Sequence, residues 1–204
     1  RQLLRVTARK TWRYFETLMG PDDHGLPPDN VQEMPAPVIA HRTSPTNIAM
    51  GMLSTLAAHD LGYLRTPALL AKLEALFDTM EGLERHEGHL LNWYDTTTLA
   101  PLLPRYVSTV DSGNLAGAFV ALAQGLRRLA SEPQAGAQRP NGALDPAEVT
   151  RDTLERDVAV PRQAGTARLE DVVGAVCAAL AEPDDATALA RVRTEELTPL
   201  VIEG

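Results

Sequence analysis

The sequence predicts an all-α fold. Apolar residues recur at spacings of three and four over four long segments, the signature of amphipathic helices. Ser-Pro and Thr-Pro pairs open two of these segments, and glycines close two, as helix caps do. No segment sustains the period-two alternation of a sheet; only Leu90–Tyr94 reads as a short strand.

The first helix runs over about 2–19, with Leu4, Ala8, Trp12, Phe15 and Met19 on one stripe, and Gly20-Pro21 ends it. The second opens at Ser44-Pro45, carries Ile48, Met52 and Leu56 on one face, and stops at Gly62. The third opens at Thr66-Pro67 and repeats Leu69, Leu73, Leu76, Met80 and Leu83. The fourth opens near Asp111-Ser112, with Leu115, Phe119, Leu122, Leu126 and Leu129 inward. Residues 131–165 read as a linker rich in Pro, Gly, Ala and Gln. Two weaker helices are expected over 166–204, near 168–182 and 186–198.

Composition narrows the function. Apolar residues make up 44% of the 204, enough for a core, and the net charge is −8. Residues 1–130 hold 12 basic and 13 acidic side chains; residues 131–204 hold 7 and 14. Nothing here offers phosphates a basic patch, so no nucleic-acid partner is expected. Cys177 stands alone, which excludes an internal disulfide and a four-cysteine zinc site. No apolar run reaches the ~18 residues of a membrane span, and no targeting signal is visible. Arg1 in place of Met reads as a fragment or a processed product. No cofactor and no metal are expected: His86-Glu87-Gly88-His89 is one residue short of the helical zinc spacing, and Gly88 breaks a helix there.

Connection lengths point to the site. Helices two and three are joined by about five residues, as antiparallel neighbours are. The other two connections, 20–44 and 86–111, exceed the ~12–15 residues common for loops, and such loops are usually functional or disordered. Up-and-down connectivity puts both at one end of the helix layer, beside the N-termini of helices two and four. That rim would gather acids, amides, guanidinium groups and rings. Aromatic rings stack on the apolar faces of sugars, while Asp, Asn, Gln and Arg bind hydroxyls. Glycoside chemistry needs two carboxyl groups flanking the bond. Glu33, Asp95 and Asp111 are the candidate catalytic acids. Plainer readings stand beside these: Asp111 or Ser112 as a helix cap, Asp29 and Asn30 as turn formers, Trp93 as a core ring, Arg42 paired with Glu33.

The segments Thr11–Glu16, Leu26-Pro27-Pro28-Asp29-Asn30-Val31-Gln32-Glu33, Ala40–Ile48, Asn92-Trp93-Tyr94-Asp95-Thr96 and Pro104–Gly117 match, in order and spacing, one family. Over Thr11 to about Leu129 the chain resembles the glucoamylase-like domain of bacterial cyclic β-1,2-glucan synthases. The resemblance implies an (α/α) toroid of six helical hairpins, of which about half is present, with residues 1–130 as its N-terminal part. It implies transglycosylation that closes linear β-1,2-glucan into a ring, within a cytoplasmic-membrane multidomain protein. A glucan substrate and the remaining synthase domains are the implied partners, with no membrane contact by this segment itself. It places Asp29, Gln32, His41, Arg42, Trp93, Tyr94, Arg105, Tyr106 and Asn114 against sugar, beside the three acids. Two alternatives stay open: an endo-β-1,2-glucanase, and a non-catalytic glycan-binding or structural piece.

Overall fold

The computed structural model describes residues 2–131 and 145–150. Four helices dominate: α1 (Gln2–Leu18), α2 (Pro45–Asp60), α3 (Thr66–Gly82) and α4 (Thr109–Ser131). Six two-residue strands lie in the long connections: β1 (Val31–Gln32), β2 (Val38–Ile39), β3 (Arg42–Thr43), β4 (Arg85–His86), β5 (His89–Leu90) and β6 (Tyr94–Asp95). They form three antiparallel pairs, β1–β2, β3–β6 and β4–β5. The expected strand over Leu90–Tyr94 is thus the end of one strand and the start of another.

Contacts divide the chain into two units. One comprises Thr11–Asp60 and Leu64–Gln134. Its core is built from Trp12, Phe15 and Met19, from Ile48 and Met52 of α2, from Leu69, Leu73, Leu76 and Met80 of α3, and from Leu115 and Leu122 of α4. Burying each such side chain contributes about 1.5–3 kcal/mol. Most of the expected stripe residues are therefore buried; Ala8, Leu56, Leu126 and Leu129 are half-buried, and Leu4 and Phe119 are 73% and 40% exposed.

Helices α2 and α4 run parallel. Near their N-termini Thr46 donates to Asp111, and at their C-terminal ends Arg128 donates to Asp60 at 2.6 Å. Gly125 permits the close approach: a Cβ there would lie 2.4 Å from Leu56 Cδ2. Helix α3 returns antiparallel to α2 through residues 61–65. Both long connections accordingly lead into the same end of the α2–α4 pair.

The starts of these helices follow local chemistry. Ser44 Oγ accepts the Asn47 N–H at 3.2 Å and caps α2, as expected. Helix α3 takes Arg65 as its N-cap residue, one position before the expected Thr66. Helix α4 begins earlier than Asp111-Ser112, because Ser108 Oγ caps the Asp111 N–H at 3.2 Å. This leaves the Asp111 carboxylate free of capping duty.

The other unit comprises Arg1–Lys10, Leu61–Tyr63 and Ala135–Gly204. In it, residues 145–150 are helical, inside the stretch that composition reads as linker. Asp145 is fully buried and takes Arg5 Nε at 2.7 Å, Arg5 Nη2 at 3.0 Å and the Tyr63 hydroxyl at 2.6 Å. These partners offset the desolvation of a buried carboxylate. The two helices expected over 166–204 lie outside the described residues. Among the described residues no helix is long and apolar enough to cross a membrane.

Candidate functional site

The two long connections meet at the β3–β6 pair, where Arg42 is opposite Asp95 and Thr43 opposite Tyr94. The Thr96 N–H donates to the His41 carbonyl at 3.1 Å and extends that junction. On it sits a cluster built around Arg42. Its Nη2 and Nε donate to Asp29 Oδ2 at 2.8 and 3.1 Å, and its guanidinium carbon lies 5.0 Å from the centroid of Trp93. Asn30 Nδ2 donates to the same carboxylate at 2.9 Å, and Asn47 Nδ2 reaches its other oxygen at 3.4 Å. Asn47 is in the first turn of α2, so Asp29 stands near the positive end of that helix. Arg42 thus pairs with Asp29 and not with Glu33. Trp93 is half-buried and carries a cation on one face, which suits recognition of polar ligands more than a sealed core.

A second group joins the helix N-termini. Asn114 Nδ2 donates to Thr46 Oγ1 at 3.0 Å, and the Thr46 hydroxyl donates to Asp111 Oδ1. Asp111 is half-buried in the first turn of α4.

A third group centres on Asp23, in the 3₁₀ turn Pro21–Asp23. Its Oδ1 accepts from His41 Nδ1 at 2.8 Å and from the Thr96 hydroxyl.

The remaining expected residues fall elsewhere. Asp95 Oδ1 accepts the Thr97 N–H at 2.9 Å, the Thr97 hydroxyl at 2.7 Å and the Thr98 N–H at 2.8 Å. These donors, the Thr97 hydroxyl foremost, hold its carboxyl below the usual carboxylate range. That is a turn-forming carboxylate that favours the ionised state, which suits a nucleophile or an electrostatic stabiliser better than a proton donor. Glu33 is exposed in the link between β1 and β2, with no hydrogen bond or ion pair among the described residues. Gln32 is exposed beside it and donates to the Met34 carbonyl at 2.8 Å. Arg105 pairs with Glu84 at 2.8 Å, both about half exposed, and Tyr106 is 52% exposed.

Tyr94 corrects the sequence expectation. It is fully buried, its hydroxyl donates to the Glu84 carbonyl at 2.6 Å, and the Leu91 N–H donates to it at 2.6 Å. Burial pushes the phenol up. This ring braces the second long loop and is closed off from solvent.

Sequence reasoning missed Asp23, Thr46 and Asn47. Pro21 and Gly20 marked a helix end, and nothing in Asp22-Asp23 set one carboxylate apart as buried. A cavity of about 180 Å³ also opens between Pro45, Met80, His89, Ser112, Leu115 and Phe119; none of the expected site residues lines it. Among the described residues no group of three or more His, Cys, Asp or Glu side chains is arranged to hold a metal ion.

Comparison with known proteins adds an independent observation. No protein-family model matches the chain. The chain is 43% identical over 152 residues to the cyclic beta-(1,2)-glucan synthase NdvB of Rhizobium meliloti (strain 1021). The match covers 74% of this chain and 5% of that protein, so the chain spans a small part of its relative's length. At that identity and coverage, the chain is related to a segment of this cyclic glucan synthase.

Proposed function

We propose that this chain is part of a glucan-acting domain in which the rim of the α2–α4 pair binds β-1,2-glucan, and that the domain transfers a glycosyl unit onto a sugar hydroxyl to close the ring. The observation that carries the reading is the β3–β6 junction. It brings Asp29 and Arg42, from the first long connection, and Trp93, from the second, into one half-exposed cluster of a carboxylate, a guanidinium and a ring. Such a set matches a pyranose: polar groups for hydroxyls, a ring face for the apolar C–H surface. The relation to a cyclic glucan synthase supports the choice of glucan. The parallel α2–α4 pair, each member preceded by a long loop, is what neighbouring inner helices of an (α/α) toroid require. Asp111, half-buried and held by Thr46, is the acid best placed for chemistry. The remaining domains of a larger membrane-bound bacterial synthase are the partners this reading implies.

A non-catalytic glycan-binding role is the second reading. It is favoured by Asp95, whose Oδ1 is committed to its own turn, and by Glu33, which stands alone on a hairpin.

Mass spectra of products from linear β-1,2-glucan separate the readings. Ions lacking one water relative to the linear chains mean ring closure. Shorter chains with new reducing ends mean hydrolysis. Unchanged glucan with saturable quenching of Trp93 fluorescence means binding alone. Trp12 is only 3% exposed, so the exposed tryptophan signal belongs to Trp93, and Trp93→Phe is the control.

A further inference from the structure

Asp23 is a carboxylate at 6% exposure, yet it neither caps a long helix nor meets a lysine or arginine. Removing a carboxylate from water costs several kcal/mol unless donors replace the solvent. Its donors are His41 Nδ1, at 2.8 Å, and the hydroxyl of Thr96. Thr96 is itself fully buried, and each of its polar groups is used. Its N–H donates to the His41 carbonyl at 3.1 Å, its hydroxyl to Asp23, and its carbonyl accepts from His24 Nδ1 at 2.8 Å. Thr96 therefore holds both the acceptor and the backbone of His41. The ring so gripped is not buried: the His41 side chain is 45% exposed, and its Nε2 has no partner among the described residues.

An ionised carboxylate can only accept, so His41 Nδ1 must carry the hydrogen between them. That fixes the tautomer. In the neutral ring, Nε2 then has a lone pair and no hydrogen, and its orientation is set by the Nδ1 contact. We infer that Asp23 is a positioning residue that locks His41 in the Nδ1–H tautomer, so that Nε2 accepts a hydroxyl hydrogen of the bound glucan. The inference rests on the glucan-binding reading above. It assigns a role to a buried acid that is not among the candidate catalytic carboxylates.

The test reads the tautomer directly. Imidazole 15N shifts of the 204-residue chain are recorded at a pH where imidazoles are ordinarily neutral, and His41 is assigned by the loss of its signals in His41→Gln. The expected result is a protonated-type Nδ1 and a lone-pair-type Nε2. In Asp23→Ala the population moves toward the Nε2–H form, and Asp23→Asn, whose Oδ1 still accepts, keeps the wild-type form. A wild-type His41 in the Nε2–H form overturns the inference without any variant having to fold. So does an unchanged tautomer in folded Asp23→Ala. Linear β-1,2-gluco-oligosaccharide is then titrated. Nε2 of the wild type should shift, and Kd should rise about tenfold in Asp23→Ala and in His41→Ala, with no further rise in the double variant. Saturable Trp93 quenching without a shift at Nε2 overturns the role of His41 and leaves the glucan reading standing. No response from either group overturns both.

Discussion

The ring of Tyr94 has the chemistry of a sugar platform and the position of a strut. Its hydroxyl satisfies a backbone donor and a backbone acceptor at once, at Leu91 and Glu84. Tyr94→Phe keeps the ring and orphans both groups, at a cost of about 1–3 kcal/mol. Denaturant unfolding should show that loss, while glucan affinity stays within about twofold because the ring is buried. A tenfold loss of affinity with unchanged stability would return Tyr94 to the binding surface. Asp95 gives a second test. Its folded-state pKa is depressed by the Thr97 hydroxyl and the Thr98 N–H below the ordinary value of 3.8. A depressed carboxylate contributes stability that is complete above its unfolded-state pKa and disappears as pH falls through the folded-state value. Asp95→Asn keeps an acceptor for the turn and removes the titration. The stability difference between wild type and Asp95→Asn should be constant above about pH 5 and shrink on acidification below 3.8. A difference that is flat through that range would mean the turn does not favour the ionised form.

At the scale of elements, the helices were legible and the strands were not, for a physical reason. A long helix repeats its apolar spacing several times and marks its ends, as Ser44-Pro45 and Leu69 through Met80 do here. A two-residue strand has no period to read. Pairs such as Arg42–Asp95 bring together positions 53 apart in sequence, on loops whose shape depends on the rest of the fold. The same limit applies to the site. Asp29, Arg42 and Trp93 were identifiable as residue types on one rim, but which carboxylate Arg42 would take was not. Asp111 remained ambiguous with a cap until Ser108 proved to fill that role. The approach of α2 to α4 was also hidden, because a glycine inside a helix ordinarily signals only weakness. Gly125 is instead the point of contact with Leu56. Gly125→Ala gains about 1 kcal/mol of helix propensity but must displace a Leu56 methyl group, so its net effect should be small. Gly125→Val cannot be accommodated by one rotamer change and should cost about 1–3 kcal/mol. Leu56→Ala in the same chain should recover part of that loss, a coupling read from a double-mutant cycle in urea. Strict additivity would place the crowding elsewhere.

Over the whole molecule, three phenols should make the fold weaken in alkali. Tyr14, Tyr63 and Tyr94 all have raised pKa values, each with burial as the main cause. Tyr14 donates to the Pro28 carbonyl at 2.7 Å and feels Asp29; Tyr63 donates to the buried Asp145. For Tyr94 the Leu91 N–H and Arg85 pull the other way without cancelling burial. A group whose folded-state pKa lies above its unfolded-state value contributes stability that is complete below the unfolded value and is lost as pH rises through the folded one. The window therefore opens above 10.0, the ordinary phenol value, and extends upward from there. Each unit contains at least one of these groups, so both should weaken with alkali: Tyr63 falls in one, Tyr14 and Tyr94 in the other. Ionising Tyr63 would also set a phenolate against the Asp145 carboxylate, a like-charge contact in a site with little water. Alkaline titration followed at once by phenolate absorbance and far-ultraviolet circular dichroism should show the absorbance of these three rings rising together with the loss of helix. Complete ionisation with the helices intact would mean that the rings are not held in the hydrogen-bonded positions that brace the two long loops and the Arg5–Tyr63–Asp145 cluster.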